Sequence, residues 1–207
     1  MGNNPLTLAL PKGRLFDQAI QYFDLHGLKI SVEERKLVAH DEKGLLQIFL
    51  VKNSDLPTYV AHGIAGLGIC GSDVLHESSS RFFRLLELPF GTTRMCLAAR
   101  ADQNPQAEKH RLKVATKFPR FTRNYFHSRG IPVEIIKLNG SVELAPLLGL
   151  APYIVDLVET GSTLKANNLK VIENLENIVV YLIANPAYYK VHYPQVDRFI
   201  ELLRNSA

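Results

Sequence analysis

The chain has 207 residues, of which 46% are hydrophobic and 21% charged, and its formal net charge is +4. This apolar content excludes a disordered chain, and no apolar run approaches the roughly 18–20 residues that span a bilayer. The N-terminus has no basic segment followed by a long apolar run, and the two cysteines are too few for a disulfide framework. We therefore expect a cytoplasmic protein. The mild positive charge slightly favours anionic ligands and does not predict a nucleic-acid binder.

Short apolar runs alternate with helical patterns along the chain. The first half predicts strands at 7–10, 45–51 and 66–71, with helices at 14–25, at 55–62 and from Ser72. The second half predicts strands at 94–99, 112–116, 133–138, 153–158 and 178–184. Its predicted helices lie at 121–128, at 143–148, from Thr163 onward and at 194–203, and 101–110 is a polar loop or short helix. This alternation predicts an α/β fold with mainly parallel sheets.

The number of strands and helices favours two lobes over one open sheet. The pattern restarts after Phe90-Gly91 and breaks again near residues 176–184. We expect a discontinuous domain I at 1–91 plus 181–207, with domain II at 92–180. The C-terminal helix then packs back onto domain I.

One turn carries the clearest chemical signal. A buried strand that includes Asp156 leads into Glu159 and then into Thr160-Gly161-Ser162-Thr163, ahead of a helix. Such a turn directs backbone N–H groups, hydroxyls and the positive end of a helix dipole at one point, which suits a phosphate monoester. Asp156 and Glu159 are suited to ribose hydroxyls or Mg²⁺. The plainer interpretation is a capped helix without a ligand.

The turn belongs to a longer pattern of fixed spacing. It reads Glu143-x5-Gly149-x-Ala151-x2-Ile154-x-Asp156-Leu157-x2-Thr160-Gly161-x-Thr163-Leu164. This pattern resembles the signature of the ATP phosphoribosyltransferase family, which opens histidine biosynthesis. Further blocks resemble the family's motifs in the family's order, at 8–15, 35–37, 55–60, 68–73, 115–119 and 182–186. The departures are Lys52 in place of a usual Arg, Pro152 in place of a common Asp, and Asn168 in place of a usual Gly.

The resemblance implies a reaction and an architecture. The phosphoribosyl group of phosphoribosyl pyrophosphate (PRPP) would pass to N1 of ATP, giving phosphoribosyl-ATP and pyrophosphate, with Mg²⁺ held mainly through the substrates' phosphates. The implied fold is a pair of α/β lobes of the periplasmic-binding-protein type (type II), with the active-site cleft between them. Because the chain stops at Ala207, it resembles the short form, which assembles with a histidyl-tRNA-synthetase-like regulatory subunit as a hetero-oligomer containing a homodimer of this chain.

The resemblance also assigns roles to residues. It makes Arg14 and Arg35 catalytic, facing pyrophosphate or triphosphate oxygens. The residues it implies for substrate binding are Lys12, Gly13, Lys52, Gly71, Ser72, Asp73, Glu143, Asp156, Glu159, Thr160, Gly161, Ser162, Thr163 and Leu164. Taken alone, Arg14 also fits a solvated first-turn residue, Arg35 a surface hairpin and Asp73 a helix cap.

Two other functions remain open at this point. A Type I phosphoribosyltransferase acting on a free base typically has two adjacent acids before its Thr-Gly turn, whereas Asp156 and Glu159 are separated by two residues. A two-lobed ligand-sensing module could share the fold but does not need a phosphate turn. The seven histidines form neither His-x-His nor His-Glu-x-x-His, so no transition-metal site is expected.

Overall fold

The computed structural model describes residues 4–33, 35–103 and 112–205. The strands are β1 (Leu6–Pro11), β2 (Ile30–Ser31), β3 (Val38–Asp41), β4 (Leu46–Val51), β5 (Leu67–Gly71), β6 (Phe83–Arg100), β7 (Leu112–Thr116), β8 (Val133–Lys137), β9 (Tyr153–Val158) and β10 (Leu169–Ala184). The helices are α1 (Arg14–Leu25), α2 (Leu56–Ala61), α3 (Ser72–Glu77), α4 (Pro119–His127), α5 (Leu144–Leu147), α6 (Ser162–Ala166), α7 (Pro186–Val191) and α8 (Tyr193–Arg204). Strands and helices alternate through most of the chain, as the sequence predicts.

The chain divides into two compact units. Unit 1 comprises Met1–Gly91 and Val179–Ala207, and unit 2 comprises Thr92–Ile178. The chain passes from one unit to the other within β6 and returns within β10. The sequence pattern places the return after residue 180, two residues further along.

The strands of unit 1 follow the order β2-β3-β4-β1-β5-β10. The three central strands are parallel, with Leu8 opposite Ile48 of β4 and Leu67 of β5. Strand β3 runs antiparallel to β4, and β10 runs antiparallel to β5. The carboxyl ends of β4, β1 and β5 therefore share one edge of the sheet, which is where open α/β sheets bind ligands.

Helices cover both faces of the unit 1 sheet. Leu8 and Leu10 of β1 point to one face, where they join Phe23 of α1 and Phe199 of α8 in a single cluster. Ala9, between them, points to the other face and packs with Leu56 and Val60 of α2, because successive strand residues alternate sides. Burial on both faces explains why β1 is a nearly continuous apolar run.

The strands of unit 2 follow the order β6-β9-β7-β8. Strand β7 is parallel to both β8 and β9, and β6 is antiparallel to β9. Neighbouring residues of β9 belong to different clusters, since Ile154 packs with Ala145 of α5 and Val155 packs with Phe121 of α4. Thr116 lies opposite Val155, so the carboxyl ends of β7 and β9 lie side by side.

Several elements differ from the sequence prediction. The helix expected from Thr163 onward stops at Ala166, and a 16-residue strand begins at Leu169 rather than near 178. Strand β6 begins at Phe83 instead of Arg94, and the sequence pattern does not predict β2, β3 or α7. Residues 104–110 of the polar segment predicted at 101–110 lie outside the described residues. In the described ranges no helix is long and apolar enough to cross a membrane.

Candidate active site

Two of the predicted basic residues of unit 1 follow neighbouring parallel strands. Lys12 comes directly after β1, and its amide donates to the carbonyl of Val51, the last residue of β4, over 3.0 Å. Lys52 follows Val51, so both lysines leave the sheet at the same edge, and both side chains are exposed. Gly13 has φ +91° and precedes Arg14, which opens α1 with an exposed side chain. These residues therefore leave the sheet at one edge, and their role in substrate binding stays a prediction.

Arg35 lies in the connection between β2 and β3, close to the same edge. Its φ is +65°, a left-handed conformation that arginine rarely adopts. The connection is tied to β4 because the amide of Leu50 donates to the carbonyl of Leu37 over 2.8 Å. The side chain of Arg35 is exposed, as the surface-hairpin interpretation also requires. Strand pairing thus brings a fourth cation, with Lys12, Arg14 and Lys52, to the carboxyl end of β4.

The segment Gly71–Asp73 leaves the same edge from β5 and differs from the lysines in being buried. Ser72 and Asp73 are each 4% exposed. The Ser72 hydroxyl is buried and has no hydrogen-bond partner within the described part of the chain. Burial raises the pKa of Asp73, against backbone N–H groups and His76, which favour its charged form. A buried hydroxyl without a partner beside a desolvated carboxyl is costly unless another molecule satisfies it.

The predicted phosphate turn of unit 2 connects β9 to α6. Gly161 has φ +76°, and a Cβ there would meet only a Val158 methyl, at 3.8 Å, so the backbone conformation is what requires glycine. The Thr160 and Ser162 hydroxyl oxygens lie 3.1 Å apart, and the Ser162 amide donates to the Thr160 hydroxyl oxygen over 3.4 Å. Leu164 is buried and anchors the helix to its unit.

The helix after the turn is shorter than the sequence predicts, and its dipole is correspondingly small. Helix α6 has five residues, so few peptide dipoles add along its axis. What remains are the orphan N–H groups of the first turn and the hydroxyls of Thr160, Ser162 and Thr163. The turn is suited to an anion through these short-range donors, and a macrodipole contributes little.

Three carboxylates of unit 2 belong to the predicted site. Asp156, near the end of β9, accepts a hydrogen bond from the Leu157 amide over 2.9 Å. Burial raises the pKa of Asp156, opposed by Lys117, whose Nζ lies 4.0 Å from Oδ2, and reinforced by the charge of Glu143. Glu143 precedes α5, and Glu159 is exposed at the start of the turn. In the ranges that the structure describes, no three His, Cys, Asp or Glu side chains form a metal-binding group.

Strand register adds two cations that the sequence does not single out for the site. Lys117 follows β7, and its ammonium group faces Asp156 because β7 and β9 are parallel neighbours. Arg94 of β6 pairs with Val158, two residues before Thr160, and is exposed. The sequence signal for Lys117 was its place directly after a predicted strand. Arg94 has no such local signal, since an antiparallel pairing places it there.

Known proteins resemble the chain over nearly its whole length. The family model described as HisG, ATP phosphoribosyltransferase, matches residues 52–205. An ATP phosphoribosyltransferase of Clostridioides difficile is 43% identical over 199 residues, covering 95% of this chain and 96% of the relative. Another, from a Thermoanaerobacter species, is 44% identical over 202 residues, covering 96% and 94%.

Solved structures agree on the fold. The ATP phosphoribosyltransferase (HisG:HisZ) complex from Thermotoga maritima contains a chain with a TM-score of 0.82 and 37% identity, and 96% of each chain is covered. The alkanesulfonate-binding protein SsuA from Xanthomonas axonopodis pv. citri, bound to MOPS, has a TM-score of 0.59 at 12% identity, covering 97% of this chain and 72% of that one. The second match shows only that the chain shares the fold of periplasmic binding proteins.

These matches decide between the functions that the sequence leaves open. The identities extend over both units, and they are shared with enzymes of one reaction. That reaction transfers the phosphoribosyl group of PRPP to ATP and is the first step of histidine biosynthesis. The chain belongs to the ATP phosphoribosyltransferase family.

Proposed function

We propose that the turn at residues 160–164 binds the 5′-phosphate of PRPP during transfer of the phosphoribosyl group to N1 of ATP. The support is local: a left-handed Gly161 lets the backbone bend sharply, and three hydroxyls and the first N–H groups of α6 lie next to it. A phosphate monoester accepts hydrogen bonds from all of these donors. The turn also lies within the signature pattern that begins at Glu143.

The carboxylates that lead to the turn are assigned to the ribose. Ribose hydroxyls donate hydrogen bonds, and Asp156 offers a carboxylate at the carboxyl end of β9 with only 13% of its side chain exposed. Glu159 is the second acceptor, three residues further along. Because burial raises the pKa of Asp156, hydrogen bonds from ribose hydroxyls would stabilise its charged form. Glu143 adds negative charge near Asp156 and completes the acidic side of this site.

The cationic edge of unit 1 is assigned to polyphosphate groups. Lys12, Lys52, Arg14 and Arg35 surround the carboxyl end of β4, and Gly13 with Gly71–Asp73 supplies the neighbouring backbone. We assign the catalytic roles to Arg14 and Arg35, because their planar forks match phosphate oxygens. As pyrophosphate departs, their positive charges stabilise the charge that accumulates on it. N1 of neutral adenine is already nucleophilic, so the reaction needs no strong general base.

The metal belongs to the same proposal. Mg²⁺ is commonly held by one or two carboxylates together with substrate phosphates. We assign it mainly to the phosphates of PRPP and ATP, with Asp156 and Glu159 as the carboxylates of this chain that are suited to it. When bound, the ion supplies positive charge to the departing pyrophosphate.

A regulatory partner is also part of the proposal. The chain in the Thermotoga maritima complex is covered over 96% of its length, and that complex is described as HisG:HisZ. We assign to this chain a regulatory subunit that resembles histidyl-tRNA synthetase, with a homodimer of the chain inside the hetero-oligomer. Inhibition by histidine then requires that partner.

The two buried cysteines, Cys70 and Cys96, are free thiols, which supports the proposal that this protein functions in the reducing cytoplasm.

The conformation of the turn at Gly161 is the observation that most directly supports this assignment. The test incubates the chain with PRPP and Mg²⁺, adding either ATP or one of the free purine and pyrimidine bases. Pyrophosphate release that depends on ATP is expected, with no release on the free bases. Release with a free base and none with ATP would instead support a Type I phosphoribosyltransferase. Binding of PRPP without turnover of any acceptor would favour a sensing module.

A further inference from the structure

Three exposed or partly exposed rings of unit 1 form a continuous row that the reaction does not use. Phe83 and Tyr189 meet edge to face at 5.5 Å between ring centroids, and Tyr189 meets Tyr193 in the same way at 5.5 Å. Phe83 is 40% exposed and Tyr193 is 49% exposed, while the neighbouring Val191 is 75% exposed. Large apolar and aromatic groups that adjoin on a surface mark interaction sites more often than single ones do.

Basic side chains flank this aromatic row. Arg81, Arg84 and Lys190 are all exposed. Arg81, Arg84 and Phe83 line a cavity of about 360 Å³ together with Pro186. The Arg84 guanidinium lies 5.1 Å from the centre of the Tyr181 ring. Across the described part of the chain, none of the three cations forms an ion pair with a carboxylate, so each can pair with a carboxylate of another molecule.

The row lies away from the substrate edge of the same unit. Pro186 follows β10, whose last residue, Ala184, pairs with Leu67 at the start of β5. The predicted substrate residues follow Gly71, at the other end of β5, roughly 13 Å further along at about 3.3 Å per residue. The three rings therefore lie at the opposite end of β5 from the substrate edge, whereas Arg84 reaches back over Tyr181, which pairs with Cys70 next to Gly71.

We infer that the aromatic row and its flanking cations form the docking surface for the acidic face of the regulatory subunit, which rests on the hetero-oligomer proposed above. Tyr and Arg are the residue types that most often dominate the binding energy of protein interfaces. The positive charges of Arg81, Arg84 and Lys190 select a partner surface that is rich in Asp and Glu. A second copy of this chain fits poorly, because a two-fold interface centred on the row would place the three cations of one copy near those of the other.

The test measures binding between the intact chain and the histidyl-tRNA-synthetase-like subunit of the same organism by calorimetry and sedimentation velocity. The double variant Arg81→Glu/Lys190→Glu replaces two exposed cations with carboxylates, which repel an acidic partner. We expect the affinity to fall by about tenfold or more. Tyr193→Ala removes an exposed ring and is expected to weaken binding as well. The matched control, Lys29→Glu/Arg204→Glu, makes the same change in net charge at exposed positions of unit 1 outside the row, and wild-type affinity is expected.

The outcomes separate this inference from the proposed function. Wild-type binding by Arg81→Glu/Lys190→Glu, in a folded protein, overturns the docking surface and leaves the partner in place. A wild-type chain that forms no complex overturns the partner proposal and this inference together. If the control variant loses as much affinity, net charge alone decides binding, and this result also overturns the docking surface. A change in the chain's own oligomeric state in the row variant identifies a second copy as the occupant and contradicts the inference.

Discussion

The Lys117 ammonium lies 4.0 Å from the Asp156 carboxylate, across the carboxyl ends of two neighbouring parallel strands. The pKa of Asp156 is nevertheless raised, because burial removes its hydration and outweighs the attraction of a lysine whose side chain is 40% exposed. The ionised carboxylate therefore destabilises the folded protein. A substrate hydroxyl that donates to Asp156 would offset part of this cost, which is typical of groups kept for function.

Asp156→Asn should stabilise the protein at neutral pH while lowering activity. A folded-state pKa above the unfolded value means that the native state binds the proton more tightly. Stability then falls as the pH rises from about 3.9, the ordinary value for Asp, through the folded-state pKa, and stays low above it. Urea unfolding should show a higher free energy of unfolding for the variant at neutral pH, with the gain disappearing near pH 3.

The control for this measurement is Asp102→Asn. Asp102 is exposed, and its hydrogen bonds with the Arg100 guanidinium lower its pKa, so its charge favours the folded state. Its replacement should bring no stabilisation at neutral pH. Lower stability of Asp156→Asn at neutral pH would contradict the account of Asp156.

Gly161→Ala should raise the KM for PRPP by about tenfold or more, since tenfold corresponds to roughly 1.4 kcal/mol and so to one lost phosphate contact. Gly161 has φ +76°, and a residue with a Cβ in this conformation costs about 1–2 kcal/mol of folding stability. Gly130→Ala is the matched control: Gly130 has φ +68°, a Cβ there would have open space, and it lies in a turn after α4 of the same unit. Both variants should lose similar stability, and equal KM values in the two would contradict the phosphate assignment.

Arg14→Lys should lower kcat/KM by about 1–3 kcal/mol in transition-state binding, because lysine keeps the charge and loses the two-pronged contact. Steady-state kinetics with PRPP and ATP provide the measurement. Arg123→Lys, at an exposed position of α4, is the control and should behave as wild type. If the Arg14→Lys variant retains full activity, Arg14 is a solvated surface charge.

Ser72→Ala should leave stability unchanged or slightly higher while weakening substrate binding. The Ser72 hydroxyl is buried without a partner in the described residues, so its removal breaks no hydrogen bond in the free protein. Thr116→Val offers the contrast, because the Thr116 hydroxyl donates to the Val155 carbonyl over 2.6 Å and accepts from the Phe118 amide over 2.9 Å. Thermal unfolding should show a loss of about 1–3 kcal/mol for Thr116→Val. A comparable loss for Ser72→Ala would disprove the functional interpretation of Ser72.

Local chemistry explains which elements were predictable from sequence. Strands buried on both faces are nearly continuous apolar runs, and β1, β5 and β9 were predicted for this reason. The first part of β10 was wrongly assigned to a helix, because no residue between Leu169 and Ile178 is fully buried. Without one buried face there is no alternation of period two, and Ile172 and Leu175 have the three-residue spacing of a helix.

The candidate site was predictable where its residues share one stretch of chain. Asp156 to Leu164 form a continuous strand, turn and helix, so their chemistry appears in the sequence pattern. Arg94 and Lys117 come from other strands, and only the pairing register brings them to Val158 and Asp156. Asn168, at a position where the family usually has glycine, has φ +52°, a conformation that asparagine tolerates better than most residues. That departure therefore preserves the backbone.

Isotope labelling identifies directly the bond that forms between the ribose of PRPP and the adenine of ATP. The chain is incubated with Mg²⁺, PRPP labelled with ¹³C at the anomeric carbon and ATP labelled with ¹⁵N at N1, and the product is examined by NMR. We expect one pyrophosphate released per product and a one-bond coupling between the two labelled atoms. Pyrophosphate release without that coupling, or a product joined through another nitrogen of adenine, would contradict this expectation.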